Sequence, residues 1–87
     1  MITLAEVVVL AMRHNGSISF GEQPGPVDAA LAEEIAGHVI AEIGLSGWAI
    51  TPKQVLPLSR LVAFEIAPAF AAEPKGNRDD FVARVLA

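Results

Sequence analysis

The segment from Val27 to Gly44 constrains the fold most, because it is the longest stretch with one unbroken helical pattern. At about 100° per residue, one broad side of this helix is apolar. That side is formed by Leu31, Ala32, Ile35, Ala36, Val39, Ile40 and Ile43. Such a helix gains its stability mainly by packing its apolar side against other elements. The pattern therefore predicts that the rest of the chain is organised around helix 27–44.

Helical signals also occur at both ends of the chain. Thr3 and Glu6 form a capping-box pattern before an apolar run to His14, which predicts a first helix that is buried on most sides. Near the other end, Asn77 is a suitable N-cap for a last helix from Arg78 to Leu86, with Phe81 and Val85 facing inward.

The middle of the chain is less regular. Residues 17–20 and 48–50 alternate polar and apolar side chains, which indicates an optional two-stranded β-ribbon. Pro57 predicts a break between a helical turn at 52–56 and a helix at 58–67. The fold class that we predict is mainly α. It is a small orthogonal bundle of three to four helices in one domain, residues 1–87.

Composition narrows the classes of function. The formal net charge is −4, and the six basic residues are scattered, so no basic stripe for nucleic acid is visible. No charge-free stretch is long enough to span a bilayer, and cysteine is absent. We expect a cytoplasmic protein without a membrane segment and without direct contact to nucleic acid.

The candidate chemical site is a ladder on the central helix. Glu34, His38 and Glu42 lie four residues apart, a spacing that suits either a metal site or an ordinary helix ladder. A metal site would need another strong ligand, and His14 is the only other histidine. We predict the ladder, with no metal and no cofactor. Because no nucleophile or phosphate-binding motif occurs either, we predict that the protein is not an enzyme.

A sector of small residues lies away from the main apolar side of the central helix. It comprises Ala30, Gly37, Ala41 and Gly44. A glycine inside a helix costs about 1 kcal/mol relative to alanine, which suggests that something approaches the backbone there. That neighbour is either another helix of the same chain or a second molecule. We predict a homodimer that associates through this sector. The single tryptophan, Trp48, is either part of the core or an anchor for a partner.

In size, acidity and lack of a catalytic set, the whole chain resembles small inhibitors that bacteriophages and other mobile elements encode to block host machinery. The anti-CRISPR proteins are the best-known group. The resemblance rests on overall character, and it implies a protein partner whose basic, nucleic-acid-binding surface is occupied by acidic side chains. The candidates are Glu33 and Glu34 on the central helix, with Asp79 and Asp80 as a second acidic site and Glu42 as a further candidate. The alternative function is a small structural or assembly subunit of a phage particle or other oligomeric complex.

Overall fold

A computed structural model describes residues 2–19, 21–45 and 50–87. Within these ranges the chain is mainly α-helical and forms a small helical bundle, as predicted. Its elements in chain order are α1 (Leu4–His14), α2 (Pro26–Glu42), α3 (Pro52–Ile66), a short 3-10 helix (Ala67–Phe70) and α4 (Arg78–Leu86). None of the helices in the described ranges combines the length and the apolar character needed to cross a bilayer.

Helix α3, not α2, is the central element of the bundle. It packs against α1, α2 and α4, whereas α1 and α2 also pack against each other. Its inward side chains are almost fully buried and include Leu58, Leu61, Val62 and Ile66. The buried residues of α2 are Ala32, Ala36, Val39 and Ile40, and Ile35 packs against this core while partly exposed. The prediction that the chain is organised around helix 27–44 is therefore wrong, because α2 turns a narrow side, half of it alanine, toward its neighbours.

Pro57 lies inside α3, which continues without a break from Pro52 to Ile66. The predicted division into 52–56 and 58–67 is therefore wrong. Proline in the second turn removes a single helical hydrogen bond, the one that the carbonyl of the exposed Lys53 would accept. The start of α3 is also held by Gln54, which accepts from the Thr51 amide at 3.1 Å and donates to the Val85 carbonyl at 3.0 Å. Local propensity is thus overridden by contacts with α4.

Helices α1 and α2 end in the same way, with a glycine in the left-handed region. The φ angles are +83° at Gly16 and +82° at Gly44. After each glycine the chain turns back, so that the Ser17 amide donates to the Met12 carbonyl and the Leu45 amide to the Ile40 carbonyl. This pattern is a Schellman motif, and it satisfies carbonyls that a helix end leaves without partners.

The motif at the end of α1 also explains why residues 17–19 form no strand. The amides of Ser17 and Ile18 both donate to the Met12 carbonyl, so they are not available to a neighbouring strand. Ile50 is not in a strand either. The optional ribbon is thus not found in the part of the chain that is described. Residues 20, 48 and 49, and with them the two interpretations of Trp48, lie outside it.

The predicted caps of α1 and α4 are confirmed. The Glu6 amide donates to Thr3 Oγ1 and the Thr3 amide donates to Glu6 Oε2, both at 3.3 Å. At α4, the side chain of Asn77 accepts from the amides of Asp79 and Asp80. Phe81 and Val85 then face the core, as predicted, and Val82 is half-buried.

Candidate functional site

The outer face of α2 consists of the residues on the side of the helix that points away from the bundle. They are Val27, Ala30, Leu31, Glu34, Gly37, His38 and Ala41. The apolar side chains in this set are exposed to an unusual degree, with 81% of Val27 and 40% of Leu31 accessible. Apolar residues occur on more than one side of α2, but α1 and α3 cover only one of its sides. Because large apolar side chains are left exposed here, this face is a candidate binding surface.

Within the described residues, nothing in the chain packs against Gly37. A methyl group built on this glycine would have no atom within 4 Å other than those of its own helix. The interpretation that another helix of the same chain approaches α2 here is therefore wrong. Ala30 and Ala41 are exposed as well. Gly44 lies beyond the end of α2, and its positive φ accounts for the glycine at that position. Self-association through this sector stays a prediction.

Replacing Gly37 with alanine should raise the free energy of unfolding by about 0.5–1 kcal/mol, because the new methyl group meets no neighbour and the helix gains a better helix former. Urea unfolding of the monomer at low concentration measures the change. A loss of stability would contradict the open environment of Gly37. The variant Gly25→Ala is a suitable comparison, since Gly25 also has open space but stands at the N-cap of α2, outside the helical interior.

Glu33 and Glu34 are both exposed, and neither forms an ion pair with a described residue. Glu34 lies in the middle of the outer face of α2. Glu33 is about 100° away around the helix and lies at the margin of that face. Helix α2 contains no lysine or arginine. Both carboxylates are therefore available to a cationic partner, and Glu34 lies on the same side of the helix as the exposed Val27 and Leu31.

Asp79 and Asp80 occupy the first turn of α4 and are exposed. Asp80 pairs with Arg84 one turn later, with a distance of 3.1 Å between Oδ2 and Nε. Arg78, the residue before Asp79, binds Glu42 at the end of α2. Glu42 follows Glu33 by nine residues, which is about 13 Å along a helix. The structure thus keeps the two predicted acidic sites apart and does not join them into one patch.

Arg78 connects three helices. Its Nη2 donates to Glu42 on α2 at 3.0 Å, and its Nε donates to Glu65 on α3. The hydrogen bond to Glu65 is the main reason why the pKa of Arg78 is raised above its ordinary value. Glu42 is therefore engaged with Arg78, whereas His38 forms no ion pair with Glu34 or Glu42 within the described residues. Among the described residues, no three acidic or histidine side chains are arranged to hold a metal ion.

Sequence reasoning did not identify the groove between α1 and α3. This α1–α3 groove has a volume of about 550 Å³ and is lined by Leu10, Arg13, His14, Pro52, Val55, Leu56 and Ser59. Leu10 is 42% exposed and Leu56 is 59% exposed. The prediction that α1 is buried on most sides is thus only partly right, since its buried residues Val7, Val8, Ala11 and Met12 leave Leu10 on the surface.

Arg13 is the one cationic side chain among the described residues that line the α1–α3 groove, which include the imidazole of His14 and no acidic side chain. Nη2 of Arg13 donates to the Glu22 carbonyl at 3.0 Å, which positions the guanidinium beside the groove. On α3, Lys53 and Arg60 lie one turn before and one turn after Leu56. The groove thus has no acidic residue in its described lining, whereas Glu6 lines the adjoining surface together with Leu10 and Arg13.

Comparisons with protein families, with curated proteins and with solved structures find no match to this chain. The candidate site is thus described by its own residues: an acidic and apolar outer face of α2, and a basic and apolar groove between α1 and α3.

Proposed function

We propose that this protein is a non-enzymatic protein-binding module that acts in the cytoplasm as a small acidic inhibitor of a host protein or nucleoprotein complex, of the anti-CRISPR kind. The observation that supports the proposal is the outer face of α2. It offers Val27 and Leu31 for apolar contact and Glu34 for charge, with Glu33 at its margin. A partner surface that is apolar and basic complements this face.

The two kinds of side chain contribute differently to binding. Exposed apolar side chains that become buried supply most of the affinity, at roughly 25 cal/mol per Å² of buried apolar surface before the costs of association. Charged side chains at the rim mainly speed association and select the partner. A basic surface that is occupied in this way is no longer accessible to nucleic acid, which is how the inhibitor would act.

Glu34→Lys should reduce capture of the partner by about tenfold, because it reverses the charge at the centre of the outer face. Capture from a host lysate, with quantification by mass spectrometry, measures this effect. Glu73→Lys is the matched control, since Glu73 is also exposed and its reversal changes the net charge equally, but it lies outside α2. Glu33→Lys should have a smaller effect than Glu34→Lys.

Inhibition is then tested by measuring how the purified partner binds nucleic acid. Its binding to nucleic acid should fall as the wild-type protein is added and should be restored with Glu34→Lys. Equal capture by Glu34→Lys and Glu73→Lys would contradict the role of the outer face. A partner that keeps its nucleic acid would contradict inhibition and would favour the alternative of a structural or assembly subunit.

A further inference from the structure

The α1–α3 groove and the outer face of α2 have complementary chemistry. The groove is largely apolar, with the guanidinium of Arg13 and the imidazole of His14 among its lining. The outer face of α2 is apolar with Glu34 at its centre, and the whole helix carries acids but no lysine or arginine. The groove is therefore a surface of the kind that the outer face of α2 requires in a partner.

We propose that the α1–α3 groove binds the outer face of α2 from a second copy of this chain. The contact is a helix in a groove, a common way to bury an apolar helix face. On the helix, Val27, Leu31 and Glu34 follow each other at spacings of four and three residues, so they lie on one side. In this contact Val27 and Leu31 pack against Leu10 and Leu56, and Glu34 lies toward Arg13.

The dimensions of the two surfaces agree. The α3 side of the groove extends from Pro52 to Ser59, a span of seven residues or about 10 Å of helix. The stripe from Val27 to Glu34 also spans seven residues and therefore has the same length. Ala30 lies beside the stripe, where its small side chain lets the groove walls approach the helix, whereas Gly37 and Ala41 lie beyond Glu34.

Charge also distinguishes this contact from packing of α2 on α2. Two copies of α2 that face each other bring Glu34 near Glu34, an unfavourable pairing of like charges. In the groove, Glu34 instead meets Arg13, and Lys53 and Arg60 lie nearby on α3. Because the contact joins two different surfaces, one copy offers a helix where the other offers a groove. Such a contact closes a two-fold dimer only where both copies make it reciprocally, and otherwise it continues from copy to copy as an open chain.

Sedimentation velocity of the purified protein, with no partner added, tests the contact. Wild type should associate at tens of micromolar, a range chosen to populate a contact of micromolar affinity. Leu31→Asp places a charge in the apolar stripe of α2, and Leu56→Asp places a charge in the wall of the α1–α3 groove. Each variant alone should weaken association by about tenfold or more, as expected for apolar anchors at an interface. Leu86→Asp is the matched control, because Leu86 is 53% exposed on α4, outside both surfaces.

An equimolar mixture of Leu31→Asp and Leu56→Asp provides the decisive result. The first variant keeps an intact groove and the second keeps an intact helix stripe, so the mixture should associate although neither variant does so alone. All three substituted positions are exposed, and circular dichroism of each variant verifies the fold.

A wild type that stays monomeric, a mixture that stays monomeric, or a Leu56→Asp variant that still dimerises would each overturn the proposal. The last result would instead favour association of α2 with α2. If the proposed function is correct, a second copy and the partner compete for the outer face of α2. The contact between two copies does not depend on the proposed function. The sedimentation experiments can therefore fail while the proposed function holds, and the reverse.

Discussion

Replacing Leu61 with alanine should lower the free energy of unfolding by about 3 kcal/mol, because it leaves a cavity at the centre of the bundle. Leu61 is fully buried on α3, which packs against each of the other α-helices. The same substitution at Leu31 on α2 should cost less than about 1 kcal/mol, since that side chain is 40% exposed and already in partial contact with water. Urea unfolding followed by circular dichroism, at a concentration that favours the monomer, measures both changes.

The pair of leucines tests which helix is central. Both substitutions remove the same atoms from a helix and leave the same residue behind, so their difference reports packing and not helix propensity. Equal losses at the two positions, or a larger loss at Leu31, would contradict the arrangement in which α3 is the central helix and α2 lies at the side of the bundle.

A second large effect is expected at Gly76, in the turn before α4. Gly76 has a φ of +92°, and a methyl group built on it would lie 2.3 Å from Cζ and 2.9 Å from Cε2 of Phe81. Phe81 is a buried core residue of α4. Gly76→Ala should therefore cost about 3 kcal/mol, from backbone strain together with displacement of a buried aromatic ring.

Gly21→Ala is the matched control for Gly76→Ala. Gly21 has a φ of +89°, close to that of Gly76, but a methyl group there meets no atom within 4 Å. It should cost only the backbone strain, about 1 kcal/mol. Thermal or urea unfolding of both variants measures the difference. If the two alanines cost the same, the contact between the turn at Gly76 and the Phe81 ring is not as close as the structure has it.

The helix ends were the part of the fold that sequence reasoning predicted best. Three such signals are the capping box of Thr3 with Glu6, the N-cap at Asn77 and the glycine at position 44 that ends α2. Each depends on hydrogen bonds or backbone angles within a few residues, so the local sequence determines it. Pro57 was misjudged because contacts over a long sequence distance, such as that between Gln54 and Val85, hold the start of α3 in the helix. Local propensity does not contain such contacts.

The orientation of α2 was harder to predict, since its apolar side is broad and its neighbours cover only part of it. Leu31 was predicted on the apolar side that faces the core, but α1 and α3 cover the side of Ala32 and Ala36, and Leu31 is exposed. The α1–α3 groove had no signal in the sequence. Its walls come from residues 10–14 and 52–59, and only the tertiary structure brings them together. By contrast, the exposure of Glu33 and Glu34 follows directly from the helical period.

The most direct test of binding by the outer face of α2 is the rate of association with the captured partner as the salt concentration is varied. Exposed charges are screened within about 8 Å at physiological ionic strength, so steering by Glu33 and Glu34 should weaken as salt rises. For wild type we expect an association rate that falls with salt. For the double variant with Glu33→Lys and Glu34→Lys, we expect a rate about tenfold lower at low salt and a much flatter salt dependence. A folded double variant with the same association rate and the same salt dependence as wild type would contradict the account, because the two glutamates would then contribute nothing to recognition.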